Sequence, residues 1–570
     1  MSMTQLEEFR RQPPPTLAPR PISLPSPHET TLSNGLTVMV VEDSRLPLIS
    51  FRLAFRFGDA HDPANLPGLS DMIAGLLTEG TESRTSREIA DEVARMGATL
   101  TAGASSDYTT VAGSALSRFN SEVLELIADV TLRPSFPEHE VELLRQNSKE
   151  SLKQQRAQPS FLATEMVSRV MFGDHPYAVV APTPESIDAT TRDHIADFHR
   201  QKYLPNNAVF IVVGDVRVDD TIKHIEQLFG EWKQGAPLDT NFPAPPGRTA
   251  RATYLIDRPG SAQSNIVIAN SGITRTDKNY FPLLLMHTVF GATASSRLFM
   301  NLREEKGYTY GAYSNLDARR SAGTFRSSAE VRTAVTGDSL KEFFYELNRI
   351  RNEPVSQKEI SDAKSYLTGV FPIRLETQEG LVDQLVQIKM LGLGDNYLDE
   401  YRDRVQSVSI DDIQRVAKEY VQPDKAAVVI VGDGAEVIEQ IRPFTETLEM
   451  YNTAGKKKDA LASASAIGPS DVFGTWALDI ETPLGQSIPA TMTLTQTETG
   501  PSARIDSQMG SADLGAIEID GSGLSASVSF DMDGQTLQGQ VSGTFQGGRL
   551  NGTLTLEGLP SLNFTGYKTS

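Results

Sequence analysis

The chain has 570 residues, with 53 lysines and arginines against 73 aspartates and glutamates, and it contains no cysteine. The net charge of −20 argues against a nucleic-acid-binding protein, because contacts to phosphates need a basic surface. The missing thiols exclude disulfides, thiolate metal sites and cysteine nucleophiles. We expect about three domains from the length and no transmembrane segment. We also expect an extracytoplasmic, periplasmic location rather than a cytoplasmic one, with a signal peptide missing from this sequence.

The N-terminal part predicts an arm followed by an α+β unit. Residues 1–29 are rich in proline, which is typical of an extended arm on a protein surface. The first folded unit, residues 30–235, begins with a turn at Ser33-Asn34-Gly35. Its predicted strands are 36–41, 48–57, 99–115 and 207–215, and its predicted helices are 68–81, 86–97, 119–131 and 138–156.

The predicted helix at 68–81 has two unlike faces. Apolar residues recur at the spacing of one buried face, namely Leu69, Met72, Ile73, Leu76 and Leu77. The opposite face carries Asp71, Ala74, Gly75 and Thr78. Of these, Ala74 and Gly75 have no group that could act chemically. Gly80 is expected to end the helix.

Residues 253–449 predict a second copy of the same plan. Positions near the start of each unit share an offset of 214 residues, because Asp43 and Gly58 recur as Asp257 and Gly272. Positions near the end share an offset of 218 residues, because Pro205, Gly214 and Asp215 recur as Pro423, Gly432 and Asp433. The predicted fold class is therefore α+β, with two duplicated domains joined by a Pro- and Gly-rich linker at 236–252.

The rest of the chain predicts a final helix near 435–449, a flexible linker at 450–470 and a small β domain at 471–570. In the β domain, Gly, Ser and Thr alternate with apolar residues, and turn signals such as Asp533-Gly534 separate the runs. This pattern predicts about six to eight short strands in an all-β barrel or sandwich. The segment shows no catalytic constellation, so we interpret it as an appendage for spacing or docking.

The histidines do not form a helical zinc pair, which needs two imidazoles four residues apart on one face. The eight are His28, His61, His139, His175, His194, His199, His224 and His287. No two are four apart, and His194 and His199 would lie about 140° out of phase on a helix. We therefore predict that this chain binds no metal.

In the second half, Arg303 and Tyr310 stand on either side of a predicted helix end. Gly307 is placed to end the helix, so that a strand can start at Tyr308. Taken alone, the residues fit an arginine that is favourable at a helix C-terminus and a half-buried tyrosine. They equally fit a guanidinium and a phenol that hold a carbonyl or its developing oxyanion.

The helix at 68–81 resembles the zinc-site helix of the pitrilysin and insulinase superfamily of metallopeptidases. That motif reads Gly-Leu-x-His-x-x-Glu-His, followed by Gly-Thr. Here the same frame reads Gly68-Leu69-Ser70-Asp71-Met72-Ile73-Ala74-Gly75, followed by Gly80-Thr81. Both histidines and the glutamate are absent, although the chemistry needs two imidazoles for Zn²⁺ and a glutamate to deprotonate the bound water.

The resemblance covers residues of roughly 30 to 440. Within this range, three positions outside the zinc motif also match the superfamily. The superfamily has a third zinc ligand on a later helix, and alignment through Arg145 places Glu150 there. We interpret Glu150 as an ordinary helix-surface residue or as a remnant of that ligand. Arg303 and Tyr310 match the Arg-x6-Tyr pair of the superfamily, which reaches across a closed chamber and binds substrate backbone at the zinc site.

The resemblance to the bacterial, mitochondrial processing peptidase-like branch implies a function. It implies a non-catalytic subunit of a heterodimeric zinc peptidase, which forms half of a chamber and supplies Arg303 and Tyr310 to the partner. Zinc is then expected in the partner, a homologous zinc-binding subunit, and the substrates are peptides. An exposed edge strand could hold an extended peptide by main-chain hydrogen bonds.

Two alternatives stay open. The chain could be a non-peptidase structural or binding subunit, like the core subunits of the respiratory bc1 complex, with Arg303 and Tyr310 as remnants and the β domain as the docking part. It could also be a self-contained hydrolase that uses Asp71 and Glu150. For the hydrolase, nothing in the sequence places a second acid beside Asp71.

Overall fold

The structure is a computed structural model that describes most of the chain. The described residues are 25–458, 472–481, 487–497, 500–507, 510–520, 523–532, 535–546, 549–556 and 561–569. Most of the predicted arm at 1–29 and of the predicted linker at 450–470 therefore lies outside the described residues. None of the described helices combines the length and the apolar character that crossing a bilayer requires.

The first half is built on one mixed sheet. Its strands are β1 (His28–Thr31), β2 (Thr37–Glu42), β3 (Leu48–Phe55), β4 (Thr99–Ala104), β5 (Thr109–Leu116) and β6 (Ala208–Gly214). Their order across the sheet is β1-β2-β6-β3-β5-β4. β2 and β6 run parallel, whereas the other neighbouring strands run antiparallel. β4 is thus an edge strand.

The first half also contains α-helices, most of which pack around the first-half core on one side of this sheet. They are α1 (Leu69–Leu76), α2 (Ser86–Met96), α3 (Asn120–Leu132), α4 (Glu138–Arg156), α5 (Pro159–Phe172), α6 (Pro184–Ala189), α7 (Arg192–Lys202) and α8 (Val218–Phe229). The prediction for α4 coincides with its observed ends, and those for α2 and α3 are within one residue. Large apolar side chains such as Phe51, Phe55 and Phe210 are buried beneath these helices.

Two local predictions in the first half are wrong. The helix predicted at 68–81 ends at Leu76, because the Thr81 hydroxyl donates to the buried Asp129 carboxylate at 2.7 Å and holds the chain in a loop. Gly80 pairs with Thr85 in an isolated bridge instead of capping the helix. The strand predicted at 99–115 is the β4–β5 hairpin, because the Ser105 amide donates to the Tyr108 carbonyl and turns the chain.

The second half repeats the sheet. Its strands are β7 (Ala252–Asp257), β8 (Gln263–Ser271), β9 (Thr309–Ala318), β10 (Gly323–Arg332), β11 (Ala427–Gly432), β12 (Leu448–Asn452) and β13 (Lys457–Lys458). Their order is β13-β12-β7-β11-β8-β10-β9. The segment β7-β11-β8-β10-β9 reproduces β2-β6-β3-β5-β4, with the parallel pair in the same place. The predicted duplication is confirmed.

The helices of the second half follow the same plan, with two π-helical segments added. They are α9 (Tyr280–His287), π1 (Thr288–Ala292), α10 (Arg297–Phe299), π2 (Met300–Glu305), α11 (Thr336–Asn352), α12 (Gln357–Arg374), α13 (Gln378–Leu391), α14 (Tyr397–Ser407), α15 (Ile410–Tyr420) and α16 (Gly434–Ile441). The helix predicted near 435–449 is too long, because the chain from Leu448 onwards pairs with β7 as β12. The predicted linker at 236–252 lies between α8 and the start of β7, where the chain forms neither helix nor strand. The exact domain boundaries stay a prediction.

Each half covers the second face of the other half's sheet with one helix. α13 lies on β3 and β6 of the first sheet, where its apolar residues join a core with Met39, Val41 and Ile211. α5 lies on β8 and β11 of the second sheet, where Leu162 and Met166 join a core with the strand residues. Both sheets are therefore buried on two faces, and the halves share their cores.

The C-terminal segment is a closed barrel. Its strands over the described residues are β14 (Gly474–Glu481), β15 (Ser487–Thr497), β16 (Gly500–Ser507), β17 (Gly510–Asp520), β18 (Gly523–Met532), β19 (Gln535–Gln546), β20 (Arg549–Leu556) and β21 (Leu562–Lys568). Each strand pairs antiparallel with the next, and β21 closes on β14. The inward residues, including Trp476 and Phe545, form a separate apolar core. The predicted β domain is confirmed as a barrel.

An ion-pair cluster joins the barrel to the second half. Arg549 on β20 pairs with Asp433 and, at 3.1 Å, with Glu436. Asp433 is buried and caps the start of α16 by accepting from the Ala435 amide. The Gly260 amide also donates to Asp433 at 2.7 Å. The barrel therefore docks on a carboxylate that the second half already holds in place.

Candidate functional site

The start of helix α1 is capped by the carboxylate of Asp62, which lies upstream in the chain. Its N-cap, Gly68, has no side chain and adopts a positive φ of 90°. Asp62 accepts from the Gly68 amide at 2.8 Å and from the Ser70 amide at 2.9 Å, and Ser70 Oγ also donates to it at 2.6 Å. A carboxylate at this point satisfies free helix amides and opposes the positive end of the helix dipole. Asp62 therefore fixes where α1 starts.

The three degenerate motif positions differ in exposure. Asp71 and Gly75 lie one turn apart on the open face of α1, whereas Ala74 is buried. A Cβ built on Gly75 would point at Leu144 of α4, with both δ-carbons at 3.9–4.0 Å. The frame of the motif therefore has the expected geometry, since α1 and α4 still face each other. The side chains do not fit zinc, because neither an imidazole nor the catalytic glutamate is present.

Glu150 does not share the face of α4 that meets α1. It is exposed, and it lies six residues beyond Leu144, which places it about 120° around the helix. Over the described ranges, no group of three or more His, Cys, Asp or Glu residues has the geometry to hold a metal ion. The interpretation of Glu150 as a ligand remnant stays a prediction, and the helix phase argues against it.

A carboxylate cluster surrounds the start of α1, which sequence reasoning missed. Burial raises the pKa of Asp59 to about 7, and the charges of Asp62 and Asp71 raise it further. Burial also raises the pKa of Asp62 to about 6, against the hydrogen bonds from Ser70 and Gly68 that lower it. Desolvation raises the pKa of Asp71 as well, although its side chain is solvent-exposed. Contrary to the sequence-based expectation, Asp71 therefore has acidic neighbours.

A buried tyrosine faces the same cluster. Tyr203 follows α7, and its hydroxyl is buried without a hydrogen-bond partner among the described residues. Burial raises the pKa of Tyr203, and the charges of Asp62 and Asp71 raise it further. One signal in the sequence could have indicated the cluster: a helix that begins at a glycine needs a capping acceptor from elsewhere, and Asp59 and Asp62 stand directly upstream.

Arg303 lies in a π-helical segment. π2 follows α10 directly, and Gly307, with a φ of 63°, ends it before β9 begins. π-helical segments are rare and often occur at functional sites. The Arg303 guanidinium pairs with Glu304 and stacks on Phe299 at 5.1 Å from the ring centroid. Its side chain is 44% exposed, so a ligand outside this chain could reach it.

Tyr310 lies in an irregularity of β9. β9 and β10 pair Ala312 with Ala329 and then Thr309 with Val331. Two residues, Tyr310 and Gly311, therefore stand opposite one residue of β10, which is a β-bulge. A bulge redirects the side chains that it carries, and the Tyr310 side chain is 91% exposed. No hydrogen bond or ion pair within the described part of the chain links Tyr310 or Arg303 to α1, and their functional roles stay predictions.

Two edge strands border these positions. β4 lies in contact with α1 at one end of the first sheet, and Thr99 and Thr101 on it are exposed. β9, which carries Tyr310, lies at the corresponding end of the second sheet. An edge strand has main-chain amides and carbonyls that can pair with an extended peptide.

The hairpin between β9 and β10 fastens the two halves together. Arg320 donates from its guanidinium to the carbonyls of Arg56, Asp107 and Met390 at 2.8, 2.8 and 3.0 Å. Its backbone amide donates to the Asp107 carboxylate at 3.0 Å, and the Tyr177 hydroxyl donates to the same carboxylate. Asp107 is buried, so this joint is a polar network inside the protein.

Two family models match the chain in succession. The model described as insulinase, peptidase family M16, matches residues 37–183, which include α1 and its degenerate positions. The model described as peptidase M16 inactive domain matches residues 189–367, which include Arg303 and Tyr310. The chain belongs to the M16 family of peptidases. The resemblance found in the sequence is thereby confirmed.

Relatives and solved structures agree with M16 membership. An uncharacterized zinc protease of Bacillus subtilis is 21% identical over 408 residues, which are 71% of this chain and 98% of that protein. Another, of Streptomyces coelicolor, is 24% identical over 397 residues, which are 68% of this chain and 86% of that protein. The structure of a peptidase M16 inactive domain from Pseudomonas fluorescens is 26% identical, with a TM-score of 0.67 over 71% of this chain and 98% of that chain. A Helicobacter pylori protease shares the fold, with 21% identity and a TM-score of 0.68 over 72% of this chain and all of that chain.

Proposed function

We propose that this M16 chain is the non-catalytic subunit of a paired peptidase. The observation that carries the proposal is the preserved frame at α1: the helix, its contact with α4 and the adjacent edge strand β4 all persist, while Asp71 and Gly75 stand at the two histidine positions and Ala74 at the glutamate position. A wall of this shape can enclose a peptide without acting on it. The homologous partner subunit would supply the zinc site, as the zinc-protease names of the relatives suggest.

In the pair, Arg303 and Tyr310 would contact the substrate held by the partner. Both side chains are exposed and come from local irregularities of the backbone, π2 and the bulge in β9. A guanidinium and a phenol are donors that can stabilise negative charge as it develops on a carbonyl oxygen. An extended peptide would pair with β4 or β9 by main-chain hydrogen bonds.

The experiment is purification of the native protein with mass identification of co-eluting chains and zinc analysis of each component. In the isolated pair, Arg303→Ala combined with Tyr310→Phe is expected to lower kcat for a peptide substrate by at least about 10²-fold, the loss typical of one oxyanion donor. A matched control, Arg217→Ala with Tyr345→Phe, removes an exposed arginine and an exposed tyrosine elsewhere and should leave kcat unchanged. Full activity of the first double variant in an intact pair contradicts the assigned roles.

The second candidate is a structural or binding subunit without a role in proteolysis. The docked barrel favours it, because the contacts of Arg549 with Asp433 and Glu436 display a closed β domain at a fixed place on the second half. Under this function, the native protein would co-purify with a complex in which no chain carries an intact His-x-x-Glu-His motif. The same purification experiment therefore separates the two candidates.

A further inference from the structure

A cavity of about 320 Å³ lies in the second half, away from Arg303 and Tyr310. α9, π1, α12, α13 and α14 form its walls. Its polar side chains include Arg275, Arg374, Gln384, Gln387, Tyr366 and Tyr401. This volume is in the range of small-molecule sites, which combine apolar and aromatic walls with a few polar groups.

The charge of this cavity is opposite to that of the protein. The chain carries a net charge of −20, yet two arginines and no aspartate or glutamate line the cavity within the described residues. The Arg275 guanidinium stacks on Tyr280 at 3.7 Å and donates to the Tyr397 hydroxyl at 2.5 Å. These contacts hold one positive charge in a fixed orientation.

The side chain of the second arginine has no hydrogen-bond or ion-pair partner among the described residues. The Arg374 guanidinium forms no hydrogen bond or ion pair within the part of the chain that the structure describes, although its charge acts on the same tyrosines as that of Arg275. The side-chain amides of Gln384 and Gln387 on α13 likewise form no hydrogen bonds with other described residues, and neither do the hydroxyls of Tyr366 and Tyr401. The cavity therefore contains two cations and several free donors, with no carboxylate to neutralise them.

We propose that this cavity binds an oxyanion, a carboxylate or a phosphate, carried on a small organic body. Guanidinium groups bind such anions with paired, charge-assisted hydrogen bonds. Gln384 and Gln387 would donate to the remaining oxygen atoms, and the aromatic walls would contact the organic body. The proposal goes beyond the proposed function and does not depend on it, because the cavity lies within this chain.

The test is isothermal titration of the full chain with three probes. They are inorganic phosphate, acetyl-alanyl-phenylalanine with a free carboxylate, and the same dipeptide as its amide. We expect the acid to bind and the amide to bind at least about 10-fold more weakly, since a hydrogen bond to a charged group contributes that much. Arg374→Ala should weaken binding of the acid by a similar factor, and Arg275→Lys should weaken it while keeping the charge.

Arg374→Ala is suited to the test because Arg374 is exposed and no described contact depends on it. The matched control is Arg217→Ala, which removes an exposed charge from the first half and should leave binding unchanged. Binding of phosphate alone assigns the site to a free phosphate, and binding of the acid assigns it to an organic carboxylate. Measurable but equal binding of acid and amide, binding that survives Arg374→Ala, or no binding of either phosphate or the acid at about 10 mM overturns the proposal.

Discussion

The space between α1 and α4 in the first half and the cavity between α9 and α12 in the second half occupy equivalent places in a duplicated fold. The first is surrounded by carboxylates, Asp59, Asp62 and Asp71, and small residues, Ala74 and Gly75, stand at the glutamate and second histidine positions of the motif. The second is lined by Arg275 and Arg374 and by free donors. The sheets beneath them have the same strand order, whereas the charges above them are opposite.

This difference shows which parts of the duplicated plan are constrained. Strand order and core depend on buried apolar residues that must pack without voids, and both halves keep them. The exposed helix faces carry no such constraint, so their chemistry can diverge without loss of the fold. In this M16 chain, Asp71, Ala74 and Gly75 occupy the motif positions on one face, and Arg275 and Arg374 line the other with no carboxylate among the described lining residues.

The largest expected effect on stability comes from separating the two halves at their joint. Arg320→Ala removes the three hydrogen bonds that the guanidinium donates to the carbonyls of Arg56, Asp107 and Met390. These carbonyls then lack this charged donor. We expect the free energy of unfolding to fall by about 2–4 kcal/mol, measured by urea unfolding followed by circular dichroism. Arg217→Ala is the control. A loss below about 0.5 kcal/mol, the ordinary range of surface substitutions, would show that the halves are held mainly by the shared cores.

A smaller, pH-dependent effect tests the carboxylate cluster of the first half. The pKa of Asp59 is raised to about 7 by burial and by Asp62 and Asp71, above the value of about 3.9 for an unfolded aspartate. The folded state therefore binds more protons than the unfolded state between these values, and stability falls as the pH rises through that window. Asp59→Asn removes this cost, so we expect it to be more stable than the wild type by about 1–2 kcal/mol at pH 8 and equally stable at pH 4.

The comparison must be made between variant and wild type at each pH. Burial lowers the pKa of His61 to about 4, and this histidine contributes the opposite slope to the wild type and the variant alike. Asp403→Asn changes an exposed aspartate on α14 and is the control. A stability difference for Asp59→Asn that is the same at pH 4 and pH 8 would show that the pKa of Asp59 is not raised in the folded protein.

The smallest expected effect concerns the space left at the second ligand position. Gly75 lies inside α1, and an added Cβ meets only the Leu144 methyl groups at ordinary contact distance. Gly75→Ala should therefore raise the free energy of unfolding by about 0.5–1 kcal/mol, through higher helix propensity. Gly68→Ala is the contrasting variant, because its φ of 90° and a contact of 2.9 Å with Pro182 make an added Cβ destabilising. Thermal melts of both variants measure the difference in their stability. If Gly75→Ala is destabilising, the space between Gly75 and Leu144 is too small for an added methyl group.

Local pattern was sufficient to predict much of the fold. The predicted ranges of α2, α3 and α4 lay within one residue of the observed helices, and the offsets between Asp43 and Asp257 or Gly214 and Gly432 indicated the duplication. Alternating residues indicated the C-terminal β domain. Errors arose where a distant side chain decides the local structure, as when Asp129 binds Thr81 and ends α1 early.

Of the candidate site, the sequence predicted only that the zinc-motif side chains are absent. The frame around Asp71, Ala74 and Gly75 could be read from one stretch of sequence, because the motif is local. Asp59, Asp62 and Tyr203 come together from a loop and the end of α7, and Arg275 and Arg374 stand 99 residues apart in the sequence. Such groups carry no periodic signal, so only the folded chain shows that they are neighbours.

The exchange of α5 and α13 between the sheets has a consequence for synthesis on the ribosome. The first sheet is complete once β6 has been made, but one of its faces stays bare until α13 emerges with residues 378–391. During that interval, an apolar surface including Met39, Val41 and Ile211 is accessible to water and to other nascent chains, a state that promotes aggregation. We therefore expect a fragment that ends before α13 to expose this apolar surface and to aggregate when it is made alone.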